Sequence, residues 1–194
     1  MRFARWTLVC LSLALLPGCG TYSVLRPADT LEEGSFAFTN GVAANSLPEA
    51  VYVAQASVGL LDWLELDAQY EVYSALGQLR FGVLHSEEHG VALALSAGGG
   101  AASLWDSLDT TADVLDFGAI TAGVTIGRRW AFFELYGGWK GLLLVPGAYF
   151  INTAKLGFLF TLFDHFLIGL EGGCTAHHSF FVLGEGAVHL GFKI

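Results

Sequence analysis

Residues 64–73 read LELDAQYEVY. Leu64, Leu66, Ala68, Tyr70 and Val72 occupy alternate positions, and Glu65, Asp67, Gln69 and Glu71 fill the places between them. Successive side chains of a β-strand point to opposite sides, so the stretch is a strand with one apolar face and one strongly acidic face. Wound as a helix, the same residues would scatter carboxylates around the circumference and leave no side to bury. Outward from this segment, stretches of similar length alternate with turn residues. The pattern predicts about ten strands, near 34–43, 50–60, 64–73, 76–85, 89–101, 114–127, 130–141, 148–162, 166–174 and 182–193.

What the apolar face meets follows from composition. Hydrophobic residues make up 54% of the chain and charged residues 14%, against about 25% charged in ordinary globular domains. Beyond the N-terminal leader no stretch runs to the roughly 18 uncharged apolar residues that a spanning helix needs. The nearest, Leu156 to Leu170, is interrupted by Asp164 and His165. In lipid every backbone N–H and C=O must be paired internally, which leaves a closed barrel as the solution for strands. A water-soluble barrel of the lipocalin type would need a charged exterior, which 18 acids and 9 bases spread over the whole chain do not provide. The expected fold class is all-β: a transmembrane antiparallel up-and-down β-barrel of about ten strands over residues 34–194. In composition and turn pattern the chain resembles the small outer-membrane barrels.

The connections alternate in length. LLDW, HSEEH, GRR and FDH are short, as periplasmic turns are, whereas 44–49, 102–113, 141–147 and 175–181 are assigned to the cell surface. Trp63, Trp130, Phe163 and Phe166 flank the short turns, and Tyr52, Tyr73, Trp139 and Tyr149 lie toward the loops, as two interfacial girdles require. With the apolar face outward, the lumen receives Glu65, Asp67, Glu71, Arg80, Glu134, Lys140, Lys155, Glu171, Glu185, His189 and Lys193, together with Gln69 and Gln78. Arg80 on the neighbouring strand is expected to pair with Asp67 or Glu71. Charges in so narrow a lumen must be paired or wetted. They read as a salt-bridge filling, and the surplus of acids leaves a cation-preferring pore as the alternative.

The N-terminus is a targeting segment. Arg2 and Arg5 precede an apolar run from Trp6 to Leu16, the length of a signal peptide's core and too short to span a membrane. The run ends LLPGCG, which resembles the lipobox of bacterial lipoproteins, with Leu16 three before Cys19 and Gly18 just before it. The resemblance implies cleavage before Cys19 and lipidation of its sulfur, with acyl chains such as palmitate. Residues 1–18 are then a signal peptide, 19–33 a lipidated cysteine with a periplasmic tether, and 34–194 the barrel. Gly20 stands where an aspartate commonly retains lipoproteins in the inner membrane. An even strand number puts both barrel ends in the periplasm. The expected location is the cell outer membrane, lipid-anchored on the periplasmic side. Cys10 leaves with the signal and Cys19 carries lipid, so Cys174 remains and no intrachain disulfide is expected.

Chemistry is sparse. Loss of Arg2 and Arg5 brings the formal charge from −9 to about −11, which argues against a nucleic-acid partner. Cys174, His177, His178 and Ser179 are expected together in the last surface loop, followed by Glu185 and His189 on the final strand. The His177-x-Ser179 spacing resembles that of the outer-membrane lipid A deacylases. However, Phe180 replaces the asparagine expected after the serine, and Glu185 comes too early. No catalytic residue is assigned, and the chain is not expected to be an enzyme. Cys174, His177 and His178 lack a fourth zinc ligand, so neither metal nor cofactor is assigned. Gly98 to Gly100 closes a strand and opens no helix, unlike a phosphate-binding loop. The expected partners are outer-membrane lipid and other envelope proteins. The expected role is a structural or interaction subunit of an envelope assembly of motility, adhesion or secretion type. The alternative is a narrow passive pore for small cations or solutes.

Overall fold

The computed structural model describes residues 26–45, 50–71, 74–104, 115–146, 149–177 and 181–194. Ten strands form: β1 (Phe36–Asn45), β2 (Ala50–Leu61), β3 (Leu64–Glu71), β4 (Ser74–Leu84), β5 (Ala92–Leu104), β6 (Leu115–Trp130), β7 (Phe133–Val145), β8 (Tyr149–Leu162), β9 (Phe166–His177) and β10 (Phe181–Lys193). One helical turn, α1 (Ser86–His89), lies between β4 and β5. Every strand pairs antiparallel with its chain neighbours, and β1 pairs with β10, so the sheet closes into an up-and-down barrel without a free edge.

The period-two pattern decides which way round the barrel closes. In β3 the side chains of Glu65, Asp67, Gln69 and Glu71 are buried, while Leu66, Ala68 and Tyr70 are exposed. The same inversion holds in β8, where Thr153 and Lys155 are buried between exposed Ala154, Leu156 and Phe158. Leu156, at the middle of its strand, is 66% exposed. A barrel that turns Leu, Ile and Phe outward and Glu, Lys and Arg inward is the inverse of a water-soluble one, and its exterior matches hydrocarbon.

The two ends differ. At one end, hereafter the turn end, consecutive strands meet in tight hairpins. Phe163 (φ 53) and Asp164 (φ 61) are both left-handed, and the His165 N–H donates to the Leu162 carbonyl at 3.2 Å. Two successive left-handed residues make a tight turn inside a three-residue connection, since Leu162 pairs with Phe166. Between β6 and β7 the turn expected at GRR falls later, at Ala131–Phe132. Trp130 stacks on Phe133 across the hairpin at 4.7 Å between ring centroids, and Arg129 stands opposite Glu134. Those cross-strand contacts carry the pairing past the arginines. At the other end, the loop end, β5, β7 and β9 continue to Leu104, Val145 and His177, so part of each expected surface loop is sheet. Cys174 accordingly lies on the exposed face of β9 and not in a loop. Cys19, Tyr73, His178 and most of 44–49 lie outside the described residues.

Apolar side chains fill the interior at the loop end. Leu76, Phe117, Leu142, Leu144 and Ile151 form one buried cluster, and Ala43, Val51, Val53 and Ala187 form a second. A third, of Leu31, Ala37, Tyr136, Leu159 and Leu167, lies toward the turn end.

Candidate functional site: the filled lumen

Below the apolar cluster at the loop end, alternate residues of the strands place charged side chains toward the axis. Lys155 Nζ lies 2.9 Å from Glu185 Oε2. Lys140 Nζ donates to Gln69 Oε1 at 2.9 Å, and the Gln69 amide donates in turn to Glu71. Asp67 is met by neutral donors: Gln55 Nε2 at 2.9 Å, Ser57 Oγ at 2.6 Å and Gln78 Nε2 at 2.6 Å. On the opposite wall Tyr136 Oη donates to Glu171 Oε1 at 2.7 Å, and His189 Nε2 lies 3.8 Å from the other oxygen of Glu171. Gly157, paired with Tyr136, makes this possible, because a Cβ there would stand 2.4 Å from the tyrosine ring. Tyr136→Phe removes one charge-assisted hydrogen bond and is expected to cost about 1.5–3 kcal/mol. The check is the urea unfolding midpoint in detergent micelles.

Glu65 is the hub of the turn end. Arg80 NH1 donates to its Oε1 at 2.9 Å, Arg26 Nε lies 3.5 Å from the same oxygen, and the Leu31 N–H donates to Oε2 at 2.9 Å. The expected pairing of Arg80 with Asp67 or Glu71 is thus corrected. The register sets Arg80 directly opposite Glu65, and Asp67 is already occupied by uncharged donors. Burial works against the Arg26 charge, but the carboxylates of Glu65 and Asp67 outweigh it and raise the guanidinium's pKa.

The segment before β1 is not a free tether over its described part. Pro27 presents its carbonyl to Arg80, and the Ala28 N–H donates to Glu134 Oε1 at 2.7 Å. The Asp29 carboxylate accepts from the Ser86 N–H at 3.0 Å and from its hydroxyl. Residues 26–31 therefore sit inside the turn-end mouth, because the buried carboxylates there need donors that the wall alone does not supply. Lys193, expected in the lumen, is found at the rim as the last residue of β10, with Nζ 3.5 Å from exposed Glu32. The remaining ten predicted lumen residues have buried side chains.

Similarity to known proteins stops at the fold. No family model matches the chain, and no curated protein matches it in sequence. Among solved structures, the N-terminal β-barrel domain of Pseudomonas aeruginosa OprF is 12% identical, with a TM-score of 0.47, covering 84% of this chain and 100% of that one. The NanC porin is 9% identical with a TM-score of 0.44, covering 81% of this chain and 98% of that one. Ail, the attachment invasion locus protein of Yersinia pestis, is 8% identical with a TM-score of 0.29, covering 84% of this chain and 99% of that one.

The arrangement has a definite physical meaning. Glu65 and Asp67 are 0% exposed, Glu71 1%, Arg80 2% and Lys140 4%. A water column beside these five groups would leave them accessible, and they are not. Among the described residues no three His, Cys, Asp or Glu side chains converge as metal ligands. Cys174 lies on the exterior of β9, and His177 is that strand's last residue.

Proposed function

We propose that the chain is an outer-membrane β-barrel lipoprotein, anchored through Cys19 on the periplasmic side, that acts as a structural or interaction subunit of an envelope assembly of motility, adhesion or secretion type. The filled lumen is the observation that carries this reading. A barrel whose interior charges are buried among ion pairs, neutral donors and its own N-terminal segment is built to present surfaces, not to pass solutes. The geometry suits the anchor. Buried Arg26 stands seven positions after Cys19, a reach of roughly 23–25 Å when extended. Ten tilted strands give a barrel radius of about 10 Å, so the linker is long enough to leave the mouth and cross the wall to lipid.

The alternative, a narrow passive pore for small cations or solutes, requires wetted acids. Planar-bilayer recording on the purified intact protein separates the two readings. The expected result is no steady conductance, with neighbouring envelope proteins recovered by crosslinking in intact outer membranes. Reproducible cation-selective steps would overturn the subunit reading in favour of the pore.

A further inference from the structure

Arg26 to Leu31 enters the mouth as a peptide enters a receptor. The groups that hold it, Glu65, Arg80, Ser86 and Glu134, lie between 34 and 106 residues away in the chain. The wall is shaped for a backbone. A Cβ on Gly59 would fall 2.0 Å from the Glu32 carbonyl oxygen, and one on Gly127 would come within 3.0 Å of the Ala28 methyl. Recognition runs through main-chain groups, the Pro27 carbonyl and the Ala28 and Leu31 N–H groups, plus three side chains: Arg26 on Glu65, Asp29 on Ser86, and Thr30, whose Oγ1 donates to the Asp62 carbonyl at 2.8 Å. The segment leaves by the exposed turn at Glu33–Gly34, where Gly34 has φ 77, and β1 begins only at Phe36. The barrel's strand pairing therefore does not depend on it.

We propose that the turn-end mouth is a peptide-binding site, filled here in cis by residues 26–31, that accepts in trans an extended peptide of the same chemistry. That chemistry is an arginine, then proline and a small residue, then an aspartate. Two contacts favour exchange. Arg26 Nε stands 3.5 Å from Glu65, and Glu134 Oε2 stands 3.8 Å from Arg129, and neither atom has a hydrogen bond. A competing peptide that donates to Glu134 Oε2, or brings its own arginine within hydrogen-bond distance of Glu65, gains on the resident segment.

The test uses the full chain with a protease site inserted between Glu33 and Gly34. The protein is folded in detergent, nicked, and checked for an intact barrel by its unheated gel mobility. A fluorescent peptide spanning residues 26–33 is then added and followed by anisotropy. Saturable binding is expected, displaced by unlabelled peptide and weakened at least about tenfold by Arg26→Ala in the peptide, because the change removes one of the two cations that face buried Glu65. No binding, or equal binding of the Arg26→Ala peptide, overturns the proposal. Should the insertion prevent folding, the uncut chain carrying Leu31→Cys in an otherwise cysteine-free background is labelled with a water-soluble maleimide. Excess peptide is expected to raise the labelling rate several-fold, and an unchanged rate overturns the proposal.

Discussion

Glu65→Gln is expected to destabilise the folded barrel by about 3–5 kcal/mol, because removing one partner of a buried ion pair leaves the other charge uncompensated. Two cations depend on this carboxylate: Arg80 at 2.9 Å and Arg26 at 3.5 Å. The amide also loses half of the acceptor capacity that now receives the Leu31 N–H. The measurement is equilibrium urea unfolding in detergent micelles, followed by tryptophan fluorescence. Adding Arg80→Met to Glu65→Gln is expected to recover part of the loss, since an apolar pair avoids the stranded charge. A loss below about 1 kcal/mol for Glu65→Gln would mean that water reaches the hub and that the mouth is not sealed.

The second large effect lies on the outside. Leu156→Arg puts a guanidinium near the bilayer midplane, where the expected cost is about 2–4 kcal/mol because hydrocarbon cannot solvate it. Phe163→Arg is the matched control. Phe163 is 86% exposed at the tip of the β8–β9 turn, and near the interface the cost falls to about 0–1 kcal/mol. Folding into lipid vesicles, titrated with urea, gives both numbers. Equal costs at the two positions would place Leu156 in an aqueous or protein-covered setting and contradict the lipid-facing exterior.

The wall was legible from residue alternation alone. LELDAQYEVY shows which side of β3 is polar, and the low charge content shows that the apolar side needs lipid. Period two is local physics, so ten strands and their inward residues follow from it. Strand ends were less legible. Trp130, Arg129, Phe133 and Glu134 look like turn-proximal residues in sequence. Only their pairing across the hairpin shows that β6 runs through both arginines to Trp130. Long-range partners were the least legible. Arg80 could be placed on the strand beside the acids, but its choice of Glu65 over Asp67 is a matter of register. The docking of residues 26–31 joins Ala28 to Glu134 across 106 residues, and no periodicity encodes that. A signal did exist in the bookkeeping of charge: the acids assigned to the lumen outnumber its cations, and Arg26 is the nearest cation on the polar leader.

The position of that leader also sets a timetable. Residues 26–31 precede every strand in the chain, yet the groups they bind belong to β3, β4, β7 and the β4–β5 connection. They can take their place only after more than half of the sheet has zipped up, a pairing of high sequence separation that comes late in folding. Until then Glu65 and Glu134 keep their hydration. A segment that precedes every strand is thus the last one seated. Its arrival dries the interior in a single late step, so a half-made barrel stays wet and recognisably unfinished.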